Sequence, residues 1–166
     1  YRRYRKIIWQ TVLDINERHS SEGDVRRGWH PILYLEDRVP IDLLMAYYRL
    51  ADFAMVSSVN DGMNLLAKEY VAAQIDESGV LLISQMAGAA DELKDALIIN
   101  PYDSEGVADT INTALEMPEE ERRRRMHGMR EYLRTHDLHA WVKACLEDAA
   151  AVYDWAVCSG LADPTA

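Results

Sequence analysis

The chain has 166 residues, one domain's worth at roughly 100 to 200 residues per domain, or half of a larger enzyme. Hydrophobic residues make up 49%, ordinary for a globular core and too many for a disordered segment. Lys and Arg number 18 against 28 Asp and Glu, and the resulting formal charge of −10 argues against a nucleic-acid partner, which would need a net basic face.

In chain order, Tyr4, Ile8, Val12 and Ile15 recur at helical spacing, and Ser20, Ser21, Glu22 and Gly23 break the pattern, so residues 1 to about 19 read as one amphipathic helix. Tyr1 already lies inside that pattern, which suggests a chain that begins in the middle of something longer. Pro31-Ile32-Leu33-Tyr34-Leu35 is an apolar run of strand length. Pro40 interrupts it before Leu43, Leu44, Tyr47 and Leu50 mark a second helix. Phe53 to Ser58 reads as the next strand, followed by a polar turn at Asp61-Gly62 and a helix from about Asn64 to Gln74.

Val80 to Ser84 and Ala96 to Asn100 complete a set of strand-like runs that are apolar on both faces and separated by helices. That pattern predicts a parallel sheet covered on two sides, here with four strands. Beyond Pro101, Asp103 or Ser104 is placed to cap a helix carrying Val107, Ile111, Ala114 and Leu115. Pro118 suits the first turn of the next helix, with Met126, Met129 and Leu133 facing inward. Asp137 would cap a last helix with a stripe of Leu138, Trp141, Cys145, Ala149 and Val152. The fold class expected is α/β, a Rossmann-like parallel sheet with flanking helices over residues 1–160, and only Leu161 to Ala166 reads as frayed.

Several features carry little chemistry. The run Arg122 to Arg125 follows Glu119, Glu120 and Glu121 and reads as a solvated helix face. Cys145 and Cys158 show no metal-binding spacing and read as buried apolar fillers of an intracellular, cytoplasmic protein. His30, His127, His136 and His139, with Trp9, Trp141 and Trp155, read as packing or surface residues. No run approaches the roughly 18 apolar residues of a membrane span, and no charged-then-apolar leader opens the chain, so no membrane partner is expected.

Ligands of open α/β sheets bind at the carboxyl ends of the strands, which singles out the loops after Leu35, Ser58, Ser84 and Asn100. The second is the most informative. A glycine turn there opens a helix, so unpaired N–H groups and a positive dipole end point into the crevice. A nucleotide-sugar diphosphate would fit the amides of Leu65 and Leu66. Glu69 would accept from vicinal ribose hydroxyls and Asp61 from sugar hydroxyls. From spacing alone the plainer alternative stands beside this: an ordinary Asp-Gly turn, an Asn64 cap and an exposed Glu69.

The run Asp61-Gly62-Met63-Asn64-Leu65-Leu66-Ala67-Lys68-Glu69-Tyr70-Val71-Ala72 resembles the carboxyl-terminal half of trehalose-6-phosphate synthases. So do Gly79-Val80-Leu81, Ser84, Ala87-Gly88-Ala89-Ala90 and Asn100-Pro101-Tyr102-Asp103, and the likeness covers roughly residues 1 to 147. It implies the donor half of a retaining glycosyltransferase with two facing Rossmann-like domains (GT-B type), truncated at its amino terminus. The expected reaction is glucose transfer from UDP-glucose to glucose 6-phosphate, with no cofactor and no required metal.

On the same resemblance, Asp61 is the catalytic-site acid, and Asp61 with the amides of Gly62, Met63 and Asn64 holds the glucosyl hydroxyls. The amides of Leu65 and Leu66 take the diphosphate, Glu69 takes the ribose, and Val39 and Leu44 flank uracil by backbone contact and an apolar wall. The diphosphate Arg and Lys and the acceptor domain would lie upstream, so the fragment alone is expected to be inactive, with the first two strands of the unit missing and one sheet edge uncovered. Homo-oligomerisation stays open. Two departures bear on the acceptor: Leu13-Asp14-Ile15-Asn16-Glu17 replaces the usual Gly-Arg-Ile-Asn-Gly, and Asn60 stands where an Arg is usual. Alternatives are a glucosylglycerol-phosphate synthase or related transferase to a small phosphorylated polyol, and a non-catalytic regulatory paralogue.

Overall fold

The computed structural model describes residues 2–159; the frayed end expected at Leu161 to Ala166 lies outside the described residues. The chain separates into two compact units, Tyr1–Pro40 and Ile41–Ala166.

The first unit holds α1 (Arg2–His19) and α2 (Glu22–Arg26). Along α1, Ile8, Val12 and Ile15 are half-buried, while Tyr4 is exposed. The strand expected at Pro31–Leu35 does not form; the segment is irregular. Its would-be pairing groups are occupied by a side chain, since the Asn16 amide donates to the Ile32 carbonyl and accepts from the Ile32 N–H, both at 2.9 Å. Pro31 has no N–H to offer a neighbouring strand. Where the sequence suggested only a break, Ser21 and Asp24 build a reciprocal capping box that starts α2.

The second unit runs α3 (Ile41–Leu50), β1 (Phe53–Val56), α4 (Leu65–Ala73), β2 (Val80–Ser84), α5 (Ala89–Glu92), β3 (Leu97–Ile99), α6 (Ser104–Glu116), α7 (Glu119–Thr135) and α8 (Leu138–Cys158). The strands form a parallel sheet in the order β1-β2-β3, so the described residues contain three strands instead of the four expected. Every residue of the central β2 is buried. Its alternate side chains serve two cores: Leu81 and Ile83 pack with Ala67, Tyr70 and Val71 of α4 and Met126 and Met129 of α7. Val80 and Leu82 pack with Ile99 and with Ala114 of α6 on the other face. This two-sided cover is why the strand reads as apolar at nearly every position.

The helix starts follow local chemistry. Asp103 caps α6 by accepting from Gly106 N–H at 3.0 Å, and Asp137 accepts from Ala140 N–H at 2.9 Å at the start of α8. The arginine run is more than a solvated face: Arg122 donates to the carbonyls of Leu115 and Met117, and Arg125 to that of Asp95, tying α7 to what precedes it. The α8 stripe of Leu138, Trp141, Cys145, Ala149 and Val152 is exposed, and so are both cysteines, which corrects their reading as buried fillers. Helical periodicity marks an apolar face without naming what covers it. Among the described residues no helix is long and apolar enough to cross a membrane.

One buried polar side chain joins α3, α4 and β2. Gln74 is 2% exposed; its Nε2 donates to the carbonyls of Tyr48 and Ala51, and its Oε1 accepts from Gly79 N–H. Gln74→Leu keeps the volume and strips these partners, so it lowers the unfolding free energy by about 1–3 kcal/mol. A urea midpoint equal to that of the unsubstituted chain rejects this role.

Candidate functional site

All three strands are parallel, so the loops after Val56, Ser84 and Ile99 emerge at one edge of the sheet. Loop 57–64 leads from β1 into α4. Its conformation is set by Asp61 and Asn64 together. Asp61 Oδ1 accepts from Met63 N–H at 3.1 Å, an Asx turn, and Oδ2 accepts from Asn64 Nδ2 at 2.9 Å. Asn64 Oδ1 caps α4 by accepting from Ala67 N–H at 2.9 Å, with Asn64 itself at φ 69°, a left-handed conformation that Asn tolerates better than most residues. The Asn64 side chain, then the Met63 N–H, hold the Asp61 carboxyl below the usual carboxylate range.

This loop is also fastened to the one after β2. Asp61 N–H donates to Met86 carbonyl at 3.3 Å, Gly88 N–H to Asp61 carbonyl at 2.9 Å, and Ala89 N–H to Met63 carbonyl at 2.7 Å. The backbones approach so closely that a Cβ on Gly88 would lie 2.2 Å from the Gly62 carbonyl oxygen.

Along α4, Ala67, Tyr70, Val71 and Gln74 recur at helical spacing and are buried. The opposite face carries Leu65, Leu66 and Glu69, all exposed. Glu69 therefore stands one turn below the helix start, on the same side as the amides of Leu65 and Leu66. Those two amides have no intrahelical partner, as at any helix start, and among the described residues no hydrogen bond engages them or the Gly62 amide. Beside Glu69, Lys68 Nζ makes two 2.8 Å contacts to the Glu92 carboxylate on α5. Glu69 Oε2 accepts from Tyr48 Oη at 3.4 Å. Burial first, then the Glu69 charge, push the Tyr48 phenol above its ordinary pKa, so it donates.

The expected site residues thus fall into three groups. Asp61, Gly62, Asn64, Leu65, Leu66 and Glu69 gather on one loop and helix start, on the exposed side or half-buried. Met63 belongs to the loop, but its amide is occupied by Asp61 and is not bare. Leu44 is half-buried on α3 and packs against the core, and Val39 is half-buried in the first unit. Sequence reasoning missed Tyr48 and the fastening role of Gly88. The small-residue run Ala87-Gly88-Ala89-Ala90 signalled a close approach, whereas a Tyr on an apolar helix face gave no sign of its polar contact.

The family model that matches residues 1–151 is that of glycosyltransferase family 20. The chain belongs to glycosyltransferase family 20. Among relatives, the trehalose-6-phosphate synthase of Mycobacterium leprae is 41% identical over 151 residues, which cover 90% of this chain and 29% of that protein. An alpha,alpha-trehalose 6-phosphate synthase structure from Burkholderia multivorans superposes with a TM-score of 0.83 at 39% identity, over 98% of this chain and 34% of that one. A trehalose-6-phosphate enzyme structure from E. coli bound with UDP-2-fluoro glucose gives a TM-score of 0.82 at 39% identity, over 89% of this chain and 32% of that one. This family 20 chain therefore spans about a third of the length of the relatives it matches. The parallel sheet with flanking helices is the fold of the corresponding part of these enzymes.

Two outcomes are expected for the family 20 loop. Gly88→Ala forces the Gly62 backbone to move and lowers stability by about 1–3 kcal/mol, as overpacking does; an unchanged melting temperature contradicts the close approach. The Asp61 carboxyl titrates below the ordinary value of about 3.9, and Asn64→Ala raises it. Because that pKa is depressed on folding, its stabilisation is present at neutral pH and is lost as pH falls through the lowered value. Carboxyl-carbon NMR titration reads both; identical Asp61 curves in the two proteins reject the assignment.

Proposed function

We propose that residues 1–160 form the donor-binding part of a trehalose-6-phosphate synthase. The enzyme would move glucose from UDP-glucose to the anomeric hydroxyl of glucose 6-phosphate with retention, releasing UDP. The observation that carries this reading is the convergence of free Gly62, Leu65 and Leu66 amides at the start of α4 with two carboxylates, Asp61 and Glu69, on the same loop and helix face. Membership of family 20 and the names of the relatives support it.

In this reading the departing diphosphate gathers negative charge where the α4 amides and dipole are already oriented, so little reorganisation is needed as the bond breaks. Asp61 remains ionised, and each of its oxygens keeps a lone pair beyond those used by Met63 and Asn64. Those lone pairs accept glucosyl hydroxyls, helped by the Gly62 amide; Met63 contributes through the turn. Glu69 accepts from the ribose diol, and Leu44 offers an apolar wall to the base. The Arg and Lys of the diphosphate site, the acceptor-phosphate Arg and the acceptor domain come from the part of the enzyme that the relatives' greater length represents. The working enzyme would be cytoplasmic.

Two measurements test this. UDP raises the melting temperature of the chain by an amount that grows with RT ln(1 + [L]/Kd). Glu69→Gln weakens UDP binding about tenfold or more, the loss of charge-assisted hydrogen bonds. Absence of any shift up to saturating UDP sinks the donor-site reading and favours a non-catalytic module. In a coupled assay of UDP release from UDP-glucose and glucose 6-phosphate, the 166-residue chain by itself stays silent; turnover there refutes the need for the remaining parts.

A further inference from the structure

We propose that Tyr48 is a positioning residue that orients the Glu69 carboxylate, and thereby sets selectivity for a nucleotide bearing a full ribose diol over one bearing 2′-deoxyribose. The inference rests on the donor-site reading above and goes beyond it to a residue on a different helix.

Tyr48 is 8% exposed, yet its hydroxyl reaches an exposed carboxylate. The ring is not free to choose. It packs edge-on against the fully buried Tyr70, with centroids 6.1 Å apart and planes at 85°, and the Tyr48 carbonyl is held by Gln74. Glu69, by contrast, is a long side chain whose fixed orientation carries a conformational-entropy cost. Among the described residues Tyr48 is the only hydrogen-bond partner recorded for that carboxylate. Its sequence neighbour Lys68 is turned to Glu92 and leaves the Glu69 charge unneutralised.

A rigid donor on Oε2 fixes the carboxylate plane and leaves Oε1, with the second lone pair of Oε2, to meet two adjacent hydroxyls. A carboxylate set in advance loses less entropy when a cis diol binds, and it loses one of its two acceptor contacts when the 2′-hydroxyl is absent. At 3.4 Å the bond is long, so its effect is several-fold and not a hundredfold.

The test is calorimetric or NMR titration of the 166-residue chain with UDP and with 2′-deoxy-UDP, using the unsubstituted protein, Tyr48→Phe, Glu69→Gln and the double variant. Tyr48→Phe keeps the ring and its packing, so the melting temperature holds. The expected result is a preference for UDP in the unsubstituted chain that Tyr48→Phe narrows by about three- to tenfold, the size of one net hydrogen bond. In the Glu69→Gln background, Tyr48→Phe changes the preference no further. A full preference retained by Tyr48→Phe overturns the inference and leaves the donor reading standing. An equal loss of affinity for both nucleotides with a lowered melting temperature assigns Tyr48 a purely structural role and also overturns it. An unsubstituted chain that binds neither nucleotide overturns the donor reading and the inference together.

Discussion

Two loops held against each other by their backbones govern the geometry of the candidate site. Loop 57–64 has no core of its own, and its shape follows from three peptide hydrogen bonds to Met86, Gly88 and Ala89 together with the Asp61 and Asn64 side chains. Peptide groups so close to one another leave no room for a side chain at Gly88. The helix start, the exposed amides and the two acids all inherit their positions from this fastening. Because the second loop follows β2, whose residues are all buried, the site is referenced to the central and most deeply buried strand of the sheet.

The same region shows how polar side chains do backbone work where the chain leaves regular structure. Asn64 adopts φ 69° and serves as cap, turn and partner of Asp61 at once, which no apolar residue could do. At the far end of α4, the Gln74 side chain donates to the carbonyls of Tyr48 and Ala51 at the end of α3, and Arg130 donates to the α4 carbonyls of Val71 and Ala72. The Lys68–Glu92 pair, partly shielded from solvent, ties the middle of α4 to α5. The helix is thus tied to its surroundings at its start, middle and end, while its Leu65, Leu66 and Glu69 face stays open.

Much of this was legible in the residues. A five-residue run that is apolar throughout can only be a doubly covered strand or a buried helix segment, and its length settles Val80–Ser84 as the former. The Asp-Gly turn followed by Asn64 placed the start of α4 within a residue. Strand formation at Pro31–Leu35 was not legible because pairing is a property of two segments, and Asn16, 16 positions away in sequence, takes the pairing groups of Ile32. The α8 stripe and its cysteines were misjudged for a related reason, since amphipathicity specifies a face and leaves its cover unspecified. Tyr48 was invisible because its side chain belongs to the core and only its terminal oxygen leaves it.

The hold on Asp61 has a chemical consequence for the lifetime of the polypeptide. An aspartate followed by glycine is where proteins age by cyclisation, the unhindered glycine nitrogen attacking the preceding side-chain carboxyl to give a succinimide and then an isomerised backbone. That attack proceeds through the neutral acid and needs a side chain free to rotate. Asp61 is kept ionised and tethered through both oxygens, so the Asp61-Gly62 linkage is shielded by the same contacts that shape the turn.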